Sequence, residues 1–197
     1  MEELLEKYPD LPQVISLAAY HSKNADNENE YFSALSKDGR LLSVVYKGKE
    51  GQTRFPKTFK EEPGENILFT LHNHSHGAII PSGTDIYNVT NPNAPLTGIV
   101  SEDNFGLIIN KNETLSEEDK GRIEYDFALF DWWITDRFDE ECKRNIKDLK
   151  KSYSGDEFKK KEQEMFEKYL SKNNERFGDE FNHRMEKYNI KLIQIKL

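Results

Sequence analysis

Between Asn66 and Leu71 the chain reads Asn-Ile-Leu-Phe-Thr-Leu, an almost unbroken apolar stretch that ends directly on His72-Asn73-His74. A strand of this composition has no polar face to turn toward water, so it belongs inside a sheet covered on both sides. This points to an α/β protein with helices flanking a sheet. It also sets two imidazoles at the C-terminal end of a central strand, where sheets often present functional groups.

Punctuation in the flanks sets the neighbours of this strand. Upstream, a helix is predicted over 12–23, with Pro12 in its first turn and Val14, Leu17, Ala18 and His21 on one face. Short strands are expected over 30–35 and 40–46, around the turn Lys37-Asp38-Gly39, and another over 52–55. Downstream, Pro81 ends the run from the histidines, and Ser82 is placed to cap a helix that begins at Gly83. Strands over 97–100 and 105–109 follow.

At Leu115 the pattern changes. Ser116 and Asp119 have the spacing of a capping box, and Ile123, Phe127, Phe130, Ile134 and Phe138 then recur every three or four residues. After a break at 152–155, a charged helix over 156–173 and a short helix after Gly178 are expected, and the tail 189–197 is able to add an edge strand. The organisation expected is a domain over 1–114, followed by a helical extension over 115–197 packed on or beside it.

With 197 residues the chain is long enough for one domain with a real core and an appendage. No apolar stretch reaches membrane-spanning length, and the acidic start Met1-Glu2-Glu3 lacks the basic-then-apolar order of a signal peptide. A single cysteine, Cys142, excludes an internal disulfide framework and suits a reducing compartment, so a cytoplasmic location is expected. The net charge of -8 argues against a general phosphate-binding surface, and nucleic acid is not an expected partner. Lys159-Lys160-Lys161 leaves a local basic patch open.

The chemistry lies in fourteen positions, from His72 to Asp85. On an extended segment, residues two apart point the same way, so His72 and His74 can grip one ion from one side. Asp85, eleven residues beyond His74, completes a set of two imidazoles and a carboxylate. Catalytic zinc sites use three protein ligands and leave a fourth position to water. These ligand types favour zinc without excluding other divalent ions, and they imply hydrolysis by a metal-activated water.

The spacing His-x-His, seven residues, Ser, two residues, Asp resembles the JAMM motif of the JAB/MPN metallopeptidases, and His72, His74, Ser82 and Asp85 fill every one of those positions. The Asn between the histidines and the Pro before the Ser are similar to bacterial, archaeal and phage members. The resemblance covers about 12–110. It implies a JAB/MPN-like (cytidine-deaminase-like) fold, a mixed curved sheet flanked by helices, with the helical extension outside it. It implies Zn2+ held by His72, His74 and Asp85, with Ser82 donating a hydrogen bond to the oxyanion. It also implies an upstream glutamate that takes the proton of the water and passes it to the leaving amine. Glu30, at the start of a predicted strand, fits that position, with Glu28 as the alternative. The reaction implied is hydrolysis of a peptide or isopeptide bond in a protein or peptide substrate, with ubiquitin-like conjugates as the substrate class. A bacterial cell-wall peptide is a further option.

Two other classes stand beside this one. A RadC-like protein associated with DNA processing carries a similar His-Asn-His segment. A non-catalytic JAB/MPN interaction module would keep the fold and lose the reaction. Other conspicuous residues have plainer readings. His76 misses the seven-residue spacing and is read as a loop group, His21 as a packing residue, and His183 as solvated in a charged helix. Cys142 is read as a buried or idle thiol. Trp132-Trp133 is read as packing, with one ring on the core and the other over a neighbouring surface.

Overall fold

The structure, a computed structural model, describes residues 10–24, 31–36, 46–47, 67–74, 78–90, 96–101, 103–112 and 114–197. Helix α1 spans Leu11–Asn24, and strands β1 (Tyr31–Ser36), β2 (Tyr46–Lys47) and β3 (Ile67–Asn73) follow. Helix α2 is Gly83–Val89, before strands β4 (Leu96–Val100) and β5 (Asn104–Asn110). Three helices come next, α3 (Glu117–Ser152), α4 (Gly155–Lys172) and α5 (Asn174–Met185), and strand β6 is Ile190–Lys196. The expected strand over 52–55 and the turn at 37–39 lie outside the described residues, as does most of the strand expected over 40–46.

Among the described residues the strands form one six-stranded sheet in the order β2-β1-β3-β4-β5-β6. The β3–β4 pair is parallel, and the remaining pairs are antiparallel. The fold is therefore α/β with a mixed sheet, and β3 lies within it between β1 and β4. The parallel pair has a local cause: α2 lies between β3 and β4 in sequence and returns the chain in the same direction.

Alternation along the strands divides the core into two layers. Leu71, Leu96, Val100, Phe105 and Leu107 meet Leu11 and Val14 of α1 on one face. Ile99, Ile108, Ile190 and Leu192 point to the other face, where α2, α3 and α5 supply Ile86, Phe127, Phe130 and Phe181. Thr70, His72 and His74 alternate with Leu71 and so belong to this second face.

The part of the chain after Leu115 shares that core and that sheet. Strand β6 pairs with β5 along its whole length, from Asn104↔Lys196 to Asn110↔Ile190. Helix α3 starts at the N-cap Ser116, whose side chain accepts from the Asp119 amide, and every expected apolar position from Ile123 to Phe138 is buried. Its 36 residues extend roughly 54 Å at 1.5 Å per residue, beyond the reach of the sheet. Helix α4 covers the overhanging half, with the Phe138 ring 5.0 Å from Phe166 and 5.4 Å from Tyr169. Helix α5 begins at Asn174, earlier than the glycine punctuation suggests, and Gly178 sits inside it. A Cβ at Gly178 would lie 2.3 Å from the Gln194 side chain, so this glycine serves the packing of α5 on β6 and not a break. No described helix is long and apolar enough to cross a membrane.

Candidate metal centre

Strand β3 delivers the two histidines in fixed backbone positions. His72 pairs with Phe32 of β1 and Ile99 of β4, and the His74 amide donates to the Val100 carbonyl at 2.9 Å. Their side chains are 12% and 19% exposed, so they border solvent without being lost in it. The carboxylate comes from the first turn of α2. Ser82 caps that helix in an extended conformation, and Asp85 completes a capping box with it. The Ser82 amide and hydroxyl both donate to Asp85 Oδ2 at 2.7 Å.

That cap decides which oxygen is presented. With Oδ2 held by Ser82, Oδ1 of Asp85 lies 3.2 Å from His72 Nε2. The two Nε2 atoms are 3.0 Å apart, and His74 Nε2 is 4.0 Å from Oδ2. A tetrahedral ion with bonds of about 2.0–2.1 Å separates its ligand atoms by roughly 3.3 Å. The two separations from His72 lie near that edge, His74 stands farther from the carboxylate, and a donor atom from each of the three residues falls within 4.8 Å of the others. Two imidazoles and a carboxylate at these distances fit a zinc-type ion.

The electrostatics favour the ligand forms. Burial, helped by the neighbouring His72, lowers the His74 pKa to about 4, so its imidazole is neutral at ordinary pH. Burial pushes the Asp85 carboxyl upward, but His72, His74 and the Ser82 hydrogen bonds outweigh it and hold the pKa below its usual value. Asp85 is therefore an anion that is only 1% exposed. A buried carboxylate is retained when cations or hydrogen-bond donors surround it.

The arm between the histidines and Ser82 is tied down by distant parts of the chain. The Ile79 amide donates to Asn174 Oδ1 at 3.1 Å, and Gln194 Nε2 donates to the Asn174 carbonyl at 2.7 Å. Beneath the arm, Gly106 of β5 would place a Cβ 3.1 Å from the Ile79 carbonyl oxygen. Glycine at 106 thus lets the arm lie directly on the sheet. Along the register, His72 pairs with Ile99, Ile99 with Gly106, and Gly106 with Gln194, so one row across the sheet carries a candidate ligand and its supports. Sequence reasoning does not reach Gly106, Asn174 or Gln194. Their partners are far away in the chain, and Asn174 falls just past the helix expected over 156–173, with no local pattern to mark it.

The structure brings His72, His74, Ser82 and Asp85 together. Glu30, Glu28 and His76 lie outside the described residues, as does the His21 side chain. Glu30 stands two positions before Phe32, the backbone partner of His72. His183 is exposed on α5. Cys142 is a free, half-buried thiol packed against the core, and burial raises its pKa. Trp133 packs on that core while Trp132 is 66% exposed. Compared with protein-family models, curated proteins and solved structures, the chain matches none of them.

Proposed function

We propose that this chain is a JAB/MPN-like, zinc-dependent metallopeptidase that hydrolyses a peptide or isopeptide bond. The observation that carries the reading is that His72 Nε2 lies 3.0 Å from His74 Nε2 and 3.2 Å from Asp85 Oδ1, with a donor atom from each of the three residues within 4.8 Å of the others. A divalent ion held there supplies a Lewis acid and lowers the pKa of water toward neutrality.

The chain's own groups do the rest. His72 and His74 offer ring nitrogens from the end of β3, where backbone hydrogen bonds to the neighbouring strands fix their positions. Asp85 balances part of the ionic charge and is kept in orientation by Ser82, the kind of support that commonly alters metal affinity by ~10–100-fold. Ser82 is exposed and borders the cleft beside His74. Its hydroxyl is able to leave Asp85 Oδ2 for a developing oxyanion, because the Ser82 amide keeps that oxygen hydrogen-bonded meanwhile. By the same resemblance, Glu30 takes the proton from water and returns it to the leaving amine. The substrate class that accompanies this reading is a protein or peptide, ubiquitin-like conjugates included.

Metal analysis of the purified protein tests the reading. Near-stoichiometric divalent metal is expected in the wild type, with loss in His72→Ala and hydrolysis that stops on chelation. Glu30→Gln is expected to keep the metal and lose about 10²–10⁴-fold in turnover. A wild-type protein that takes up no divalent ion after zinc loading would sink the proposal.

A further inference from the structure

Beside the metal centre lies a cleft of about 240 Å3, walled on one side by His74 and Ser82. Much of its remaining lining comes from the helical second half of the chain, outside the part that resembles the metallopeptidases. Ile134 of α3 and Phe166 and Leu170 of α4 line it with apolar surface, continued by Ile80 and Pro81. The acidic residues in the lining are Asp131 of α3 and Glu167 of α4, and no lysine or arginine is found among the described lining residues. Gln163 donates to Glu167 Oε1 at 2.8 Å and orients that carboxylate one helical turn along α4.

We propose that this cleft is a side-chain subsite that selects a lysine or arginine of a peptide ligand, with Asp131 and Glu167 receiving the cationic head. The combination is specific to long cationic side chains. Their methylene stems cover apolar surface while the charged end reaches a polar partner. The apolar wall matches the stem, and the carboxylates supply the far end. Charge-assisted hydrogen bonds of this type are the stronger class. Burial raises the Asp131 pKa, and no lysine or arginine among the described lining residues offsets it, so a ligand's positive charge would favour the charged form of this carboxylate. The inference extends the peptidase reading and takes from it only that the ligand is a peptide. It adds a role for α3 and α4: they choose which peptide reaches His74 and Ser82.

The test uses the zinc-loaded protein and fluorescein-labelled hexapeptides that differ at one central position, carrying lysine, norleucine or glutamate. Fluorescence anisotropy is expected to show the lysine peptide bound about tenfold more tightly than the norleucine peptide. Asp131→Asn combined with Glu167→Gln should bring the two within about twofold. Asp131→Lys should turn the preference toward glutamate. Thermal midpoints of the variants check that they fold. Equal or undetectable binding of lysine and norleucine peptides to the wild type overturns the subsite, as does a preference that survives in the double variant. Cleavage, followed by mass spectrometry in the same samples, separates the two readings. A lysine preference without cleavage keeps the subsite and removes the peptidase. Cleavage without a preference does the reverse.

Discussion

Asp85 and Phe181 are buried almost equally, at 1% and 0% exposure, yet their surroundings have little in common. Phe181 sits among rings, 5.7 Å from Phe130 and 6.5 Å from Phe127 in edge-to-face contact, in the layer built by α3 and α5. Asp85 sits where β3 ends, held by a serine cap and two imidazoles. The aromatic layer gains stability from every contact it makes. The polar cluster has to recover the cost of burying a carboxylate before it contributes anything. The first region is built to hold the fold and the second to hold a charge in readiness.

The aromatic layer carries the largest expected effect. Phe181→Ala should lower unfolding free energy by about 3–5 kcal/mol in denaturant titration, with the metal bound per folded molecule unchanged. A selective loss of metal in that variant would erase the division. Gly106→Ala crosses the boundary, because its Cβ meets the Ile79 carbonyl at 3.1 Å. It should cost about 1–3 kcal/mol and weaken metal binding as the arm is pushed off the sheet. Ser82→Ala should cost about 1 kcal/mol in stability, and about 10–100-fold in metal affinity by titration calorimetry. Equal affinities would show that the cap does not orient Asp85. On the surface, Arg122→Gln removes the partner of Glu118, at side-chain exposures of 61% and 74%, and should change stability by less than ~0.5 kcal/mol.

A pH series sharpens the contrast from the helical side. Hydrogen bonds from Lys187 and Tyr188 hold the Asp126 pKa below its usual value and tie α3 to the turn before β6. A depressed carboxylate stabilises the fold above its unfolded pKa, and that contribution fades as pH falls through the lower folded value. Asp126→Asn should therefore flatten the loss of stability on the acid side. An unchanged acid limb in thermal melts would show that the contact carries no linkage.

The candidate ligands were legible because they are close in sequence and each obeys a local rule. Strand alternation put His72 and His74 on one side, and the cap preference of serine placed Asp85 in the first turn of α2. The same locality made α3 readable from Ser116 through Phe138. What escaped depends on distant neighbours. Gly178 reads as the break before a short helix but fits against Gln194, and Asn174, just past the helix expected over 156–173, accepts from the Ile79 amide. The stretch of α4 reads only as a charged helix, yet Phe166 and Glu167 line the cleft. A periodicity shows which residues share a face. It does not show what that face will meet.

The anchor from Ile79 to Asn174 also sets an order of events. The two residues are 95 positions apart, so at the usual ~5–20 residues per second the histidines are made roughly 5–20 seconds before their arm can be fastened. During that interval β5 waits for β6, because the three helices are synthesised between them. The ligand geometry is thus a late product of folding. A nascent chain has the histidines long before the arm beside them is fastened in place.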